Sequence, residues 1–443
     1  MQVKTLGSVC SGIEAATVSF SPYGIKTLWV SEIAEFQSNL LAQKYPETPN
    51  LGDMTGIPNM ILHEEIPSPD MICGGTPCQA FSLVGYRKGL EDERGNLTLK
   101  YIDVINANDK VRLSKGLPKT IMLWENVEGV LTDKTNAFGC FVSFLAGLDK
   151  AIDIAKWPTA GVIHGKERNV AWRVMDAKFF GIPQQRKRLY VIAGDTNFYP
   201  EDILFEEGEI RYQNEPNTKL TFKKGSHSFE VFRNYTDCLY AAYGTKWNGN
   251  AAAYNGSLFV HQDDEIRRLS PLECERLMGF PDDYTDIPKA KLTNRYQGTG
   301  NSWVVPVIKW IGSRISSEKN RNKIHVILQE PKYKELFAKK EQDVLVYLFG
   351  KDFSDGVINC STIPCNAVYG DIRNVIEYTP NKQIVISPVG CGGILRRKRE
   401  RNLKMNERLE VVLQEITDRM DPSEIEKKSR IQPRGRFSES LEK

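Results

Sequence analysis

The chain has 443 residues, 41% apolar and 26% charged, enough for a packed core in two or three units and incompatible with a disordered polymer. No run approaches the roughly 18 apolar residues of a membrane span, and "MQVKTLGSVCSG" at the N-terminus lacks a signal-peptide core, so a cytoplasmic protein is expected. A net charge of +3 does not by itself announce nucleic acid, and nine cysteines without a CxxC pair point away from zinc, so no metal is expected.

In chain order, "TLWVSE" (27–32), "PDMICGG" (69–75), "TIMLWENV" (120–127) and "RLYVIAG" (188–194) read as buried strands. Between them "AEFQSNLLAQKY", "NLTLKYIDVINAND" and "AFGCFVSFLAGLDKAI" place apolar residues at helical spacing. Such alternation predicts an α/β fold with a parallel, doubly wound sheet, whose ligands gather at the carboxyl ends of the strands. Polar and glycine-rich turns sit at those ends: "VCSGIE", "SEIAE", "GGTPCQ" and "WENVEG". From about 197 to 265 the chain turns rich in Tyr, Asn and Gly without periodicity, which suggests a smaller unit of irregular strands and loops. "SPLECERLMGFPDDY" (270–284) predicts a helix capped by Ser270, with Pro271 at its first position and Glu273 closing a capping box. "SWVVPVIKWIGSRI" (302–315) predicts an apolar helix that needs cover, and a third segment of mixed character begins near 318.

Several of these positions carry chemistry. The turn Cys10-Ser11-Gly12 could cradle a cofactor, Glu32 ends the second strand where an acidic residue can bind ribose hydroxyls, and Asp53 lies where a third strand should end. Cys78, in "GGTPCQAFSLVGYRKG", could be a nucleophile, a metal ligand, half of a disulfide or an accident. Glu125 at the end of an apolar strand should be desolvated, with a raised pKa. A thiol paired with such a carboxyl suits conjugate addition to an electron-poor ring, and Arg186 and Arg188 alternate onto one face nearby. The basic runs "RRKRERNLKMNER" (396–408) and "KKSRIQPRGR" (427–436) read either as solvated helix faces or as phosphate contacts.

"GGTPCQAFSLVGYRKGLEDERGNL", "ENVEGVL", "AKFFGIPQQRKRLYVIA", "RRLSPLECERLMGFPDDY" and "YQGTGNSWVVP" occur in this order. Together, over about residues 3–315, they resemble the successive motifs of the DNA (cytosine-5)-methyltransferases of bacterial or phage type. The resemblance implies a Rossmann-like, S-adenosylmethionine-dependent methyltransferase fold with a smaller strand-rich target-recognition domain and a C-terminal extension. The corresponding division is a catalytic domain at 1–196 completed by 295–317, a recognition domain at 197–294, and an extension of unknown role at 318–443. It implies methyl transfer from S-adenosylmethionine, leaving S-adenosylhomocysteine, to C5 of a cytosine flipped out of duplex DNA.

On the same resemblance, Cys78 adds to C6, Glu125 hydrogen-bonds N3 and the exocyclic amine, Arg188 contacts O2, and Arg186 meets a neighbouring phosphate. Cys10, Ser11, Gly12, Glu32, Ile33, Asp53, Met54, Pro77, Asn301 and Ser302 would line the cofactor site. Gln79, Ser82 and Arg94 would lie in a DNA-closing loop with Gly85 and Gly95, and Cys238 would stand where many members have a threonine. Ser8 and Cys10 replace an acidic residue and a phenylalanine common in the first motif, which puts cofactor affinity in question. The expected partner is duplex DNA and no membrane. A monomer is expected, and a restriction endonuclease for the same site is a possible companion. A tRNA cytosine methyltransferase and a non-catalytic DNA- or cofactor-binding protein remain the alternatives.

Overall fold

The computed structural model describes residues 2–76, 97–212, 216–244 and 254–430. Seven strands form in the first 194 residues: β1 (Thr5–Val9), β2 (Lys26–Ser31), β3 (Met71–Gly74), β4 (Ile121–Val127), β5 (Ala160–His164), β6 (Asn169–Asp176) and β7 (Lys187–Gly194). Then come the short β8 (Glu206–Glu207) and β9 (Leu220–Lys224), β10 (His227–Val231), β11 (Phe259–Gln262) and β12 (Glu265–Arg268). The last are β13 (Ala338–Glu341), β14 (Val344–Phe349) and the short β15 (Ile358–Asn359).

Nine of these make one sheet in the order β13-β14-β5-β6-β7-β4-β3-β1-β2. Neighbours from β2 to β4 are parallel, and the pairings from β4 outward to β13 are antiparallel. Followed through those pairings, β1, β2, β3, β4, β6 and β14 run one way and β5, β7 and β13 the other. The sheet is doubly wound because alternate side chains enter two separate cores: Leu123, Tyr190 and Ile192 pack on one face, Met122, Trp124 and Val191 on the other. Helices Glu35–Lys44, Leu97–Ser114 and Ala137–Leu145 form where the helical spacing lies.

Two features depart from the sequence reading. The strand expected to end at Asp53 is reduced to a single bridge between Val30 and Asn50, because Pro46, Pro49 and Gly52 leave no run long enough to pair. Asp53 instead caps the short turn Met54–Gly56 by accepting from the Thr55 amide at 2.9 Å. Conversely β5 and β6 were not anticipated, since "GKERN" between them and Arg173 within β6 interrupt the apolar pattern. Arg173 is nonetheless fully buried, bonded to the carbonyls of Leu204, Ser361 and Ile363 and to Glu206. Carbonyls remote in sequence satisfy its guanidinium, so an interruption on paper is a core position in space.

Strands β12-β11-β10-β9 make a second, antiparallel sheet. The Pro271–Met278 helix carries the expected capping box between Ser270 and Glu273. The apolar helix Val305–Ile315 finds its cover against Ala15–Phe20, where the Ser19 hydroxyl donates to the Val305 carbonyl at 3.2 Å. Residues beyond 318 are woven into both sheets: β13 and β14 extend the large one next to β5, β15 pairs with β8, and Val385 bridges Arg267 of β12. No helix among the described residues is long and apolar enough to cross a membrane.

Candidate active site

The carboxyl ends of β1, β3 and β4 converge on one cleft, and the end of β2 is bonded to its rim through Ser11 and Gly12. The cleft is lined by Ser8 to Gly12, Gly74, Gly75, Glu125 and Asn301 to Trp303. Gly12, at φ 57°, turns the chain so that its amide donates to Glu32 Oε2 at 2.8 Å, while Glu32 Oε1 accepts from the Ile33 and Ala34 amides. Nothing stands within 4 Å of where a Gly12 side chain would begin. Ser11 knits β1 to β2, its hydroxyl accepting from the Ser31 amide at 3.0 Å. Cys10 points its thiol at the buried Met54 sulfur, 3.9 Å away. Burial, and then the negative charges of Glu32 and Asp53, push that thiol up to about 11. Both carboxylates thus act on Cys10 through their charge, and Met54 touches it directly. Ile33 is 77% exposed beside them.

This arrangement fits a nucleoside with a charged tail. Glu32 keeps acceptor capacity beyond its three amide bonds, Asp53 is exposed with Oδ2 outside its capping bond, and the Gly12 turn leaves room for close approach.

Across the cleft the chemistry changes. Glu125 at the end of β4 is 8% exposed, and burial raises its carboxyl above the ordinary range. Arg188, Arg186 and a hydrogen bond from the Trp303 indole oppose that rise. Arg188 Nε lies 3.2 Å from Glu125 Oε1. Burial is the largest single influence on the Arg188 guanidinium and would lower it, but Glu125, Cys238 and Tyr190 together outweigh burial, so the cation is held. Gly75 is required by this contact: a Cβ there would sit 2.8 Å from the Trp303 indole nitrogen and 3.6 Å from Glu125 Oε2.

Arg186 acts on Glu125 through its charge, but in this structure it is enclosed by protein acceptors, where the sequence reading expected it to meet a phosphate. Its side chain is 3% exposed and donates to Cys238 Sγ at 3.1 Å and to the carbonyls of Leu239, Gly300 and Ser302 at 2.9, 3.2 and 2.9 Å. A guanidinium so enclosed ties the 238–239 segment to residues 300–302. Cys238 also receives Arg188 at 3.6 Å, so the thiol in the threonine position acts as an acceptor for both arginines.

Cys78, Pro77, Gln79, Ser82, Gly85, Arg94 and Gly95 lie outside the described residues. The two ends from which that segment is carried are joined. Thr76 at the end of β3 is hydrogen-bonded through its hydroxyl to the Thr98 hydroxyl at 3.1 Å and to the Trp124 indole at 2.9 Å. Its carbonyl accepts from Asn126 at 3.0 Å. Thr76, Trp124, Asn126 and Trp303 were not singled out from the sequence, although each stands inside or next to a quoted motif. Glu14 was also missed. It is 1% exposed, accepts from the Ser8 hydroxyl at 2.9 Å and from the Thr17 amide at 3.0 Å, and burial raises its carboxyl above the usual range. Ser8, the departure noted in the first motif, is therefore committed to Glu14.

Comparison with known proteins identifies the family. A model of the C-5 cytosine-specific DNA methylase family matches residues 5–254 and 208–317. A protein of Escherichia phage P1 named DNA N-6-adenine-methyltransferase is 30% identical, over 87% of this chain and 68% of its own length. Type II methyltransferase M.HhaI of Haemophilus parahaemolyticus is 26% identical, over 70% of this chain and 93% of its own. Among solved structures, Spodoptera frugiperda DNMT2 covers 71% of this chain and 99% of its own at 16% identity, with a TM-score of 0.46.

Proposed function

The chain belongs to the C-5 cytosine-specific DNA methylase family, and from that premise we propose that it methylates C5 of a flipped-out cytosine in a specific duplex sequence through a covalent adduct on Cys78. The observation that supports this most is the desolvated Glu125 at the end of β4, paired with Arg188 of β7 and lining one cleft with the Gly12 turn. Cys10, Ser11, Gly12, Glu32, Ile33, Asp53, Met54, Pro77, Asn301 and Ser302 would hold S-adenosylmethionine, which supplies an electrophilic methyl group when bound.

The chain's own residues account for the rest. The Cys78 thiolate forms a bond to C6, and the C5–C6 electron pair moves onto C5 and the ring. Glu125, a carboxyl that retains its proton to higher pH than usual, donates to N3 and so accepts the charge that addition places there. Arg188 holds O2 and keeps Glu125 oriented. Once C5 carries the methyl group, its proton is lost to solvent, the C5–C6 double bond re-forms as the Cys78 thiolate leaves, and the N3 proton returns to Glu125. The base must leave the stack first, at a cost of a few kcal/mol. We assign its recognition to residues 197–294 and closure over it to the segment holding Gln79, Ser82 and Arg94.

The printed name of the phage P1 relative favours a second reading, transfer to adenine N6. An exocyclic amine is itself the nucleophile and would not need a thiol adduct. Purified protein with methyl-labelled S-adenosylmethionine and duplex DNA separates the two: nucleoside analysis should find label in 5-methylcytosine. Label in N6-methyladenine, or on tRNA alone, overturns the cytosine-DNA reading. Cys78→Ser should lose turnover by at least a hundredfold and fail to trap on 5-fluorocytosine DNA; full activity in that variant sinks the adduct.

A further inference from the structure

We propose that the basic turn after helix Pro388–Glu400 is a second DNA-binding element, which grips backbone phosphates of the duplex beside the recognition segment. The inference rests on the DNA reading above and concerns residues beyond 317, where the family match ends.

The turn is fixed against the recognition sheet. Cys391, Ile394, Leu395, Leu409, Val412, Leu413 and Ile416 share one apolar core with Phe232, Tyr254, Phe259 and Ile266. The Ile386 amide donates to the Ile266 carbonyl at 2.9 Å, and Arg408 makes a bidentate pair with Glu230 of β10. Whatever the recognition sheet approaches, this turn approaches with it.

Its charges are unequally answered. Of the seven cations between 396 and 408, Arg396 pairs with Glu400, Lys398 with Glu410, and Arg408 with Glu230 and Glu415. Arg397 is half-buried near Tyr254, and its Nε is buried without a partner. Arg399, Arg401 and Lys404 are exposed, and among the described residues no carboxylate pairs with them. Three unanswered cations within six residues, on a rigid support, suit the regularly spaced phosphates of a duplex.

The position is also right. The Asn406 amide donates to the Tyr254 carbonyl at 2.8 Å. The next residue, Asn255, bonds Asp237, the neighbour of the Cys238 that receives Arg186 and Arg188. The basic turn is thus linked by consecutive contacts to the segment that reaches the catalytic arginines.

The test measures binding of a fluorescent 30-base-pair random-sequence duplex by anisotropy from 50 to 300 mM NaCl. With about 0.9 units of slope per phosphate, the R399A/R401A/K404A variant should show a log Kobs against log[salt] line shallower than wild type by about two to three units. Its kcat at saturating DNA should match wild type, because none of the three touches the active site. A control, K334A/K339A/K340A, removes three exposed lysines on and beside β13, the far edge strand, and should keep the wild-type slope. An unchanged slope in the first variant overturns the proposal, as does an equal loss in the control. Cytosine methylation by the same preparations keeps the two readings apart. Wild type that binds duplex without methylating sinks the enzymatic reading while the slopes still judge the turn. Wild type that methylates with slopes unmoved by R399A/R401A/K404A sinks the turn alone, and wild type that binds no duplex sinks both.

Discussion

Glu14, the N-cap of helix Ala15–Phe20, and Glu125, at the end of β4, are both carboxyls withdrawn from water, yet they are compensated differently. Glu125 has a cation at 3.2 Å, whereas Glu14 is held by the Ser8 and Thr17 hydroxyls and the Thr17 amide. Hydrogen bonds to neutral donors offset burial only in part, and the Glu14 carboxyl stays above its ordinary value near 4.5. A raised pKa in the folded state means that the folded chain binds this proton more tightly than the unfolded one. The associated stability is present below about pH 4.5 and is lost as pH rises through the folded value. Glu14→Gln removes that titration. The stability of the variant should therefore gain on wild type as pH increases from 4 to 8, by up to about 1.4 kcal/mol per pH unit between the two pKa values. Its melting temperature should rise relative to wild type accordingly. Thermal unfolding across that range reads it, and a gap that stays constant or narrows refutes the role given to Glu14. Glu125 and Arg188 could be picked out from the sequence because a charge at the end of an apolar run is conspicuous. Glu14 and Trp303 could not, since their importance comes from what the folded chain brings against them.

Arg186 shows how elements, rather than residues, assemble the site. Alternation placed it beside Arg188 correctly, but no pattern along the chain announces that Leu239, Gly300 and Ser302 would present carbonyls to it. It fastens residues 238–239 to the end of helix Leu292–Asn301, and so couples the two sides of the proposed site, DNA and cofactor. Lysine keeps the charge but cannot span four acceptors in a plane. Arg186→Lys should cost about 2–4 kcal/mol of stability, as expected for buried acceptors left unpaired. It should also raise KM for both DNA and S-adenosylmethionine more than it lowers kcat, and a purely catalytic defect would contradict the clamp. The same limit of local pattern explains the strands. Those from β1 to β4 and β7 lie in apolar runs bounded by turns and are legible. β5 and β6 are hidden by "GKERN" and Arg173, and the strand expected at Asp53 is prevented by Pro46, Pro49 and Gly52.

At the scale of the whole molecule the segment after 317 decides whether the catalytic sheet is complete. Its "DVLVYLFG" is an apolar run, but its partner β5 lies some 180 residues upstream, and nothing local points there. Once paired, β14 covers the edge of β5. Residues 361–363 supply two of the carbonyls that satisfy the buried Arg173. The family-matched part alone, residues 1–317, would therefore expose a long apolar edge and leave a buried cation short of partners. The second defect alone costs about 3–5 kcal/mol, against a total stability of roughly 5–15 kcal/mol for a domain. Ending the chain at 385 keeps both features but strips Leu409, Val412, Leu413 and Ile416 from Phe232, Phe259 and Ile266 of the recognition sheet. Denaturant midpoints should then fall from the full chain to 1–385 and further to 1–317, with 1–317 aggregating or losing its cooperative transition. If 1–317 instead unfolds at the full-length midpoint, β14 and the Arg173 contacts are ornaments on a self-sufficient sheet. The ordering follows only if the extension is part of the fold that holds Glu125 and Arg188 in place, because Arg173 on β6 is joined to them through β7, and β14 through β5.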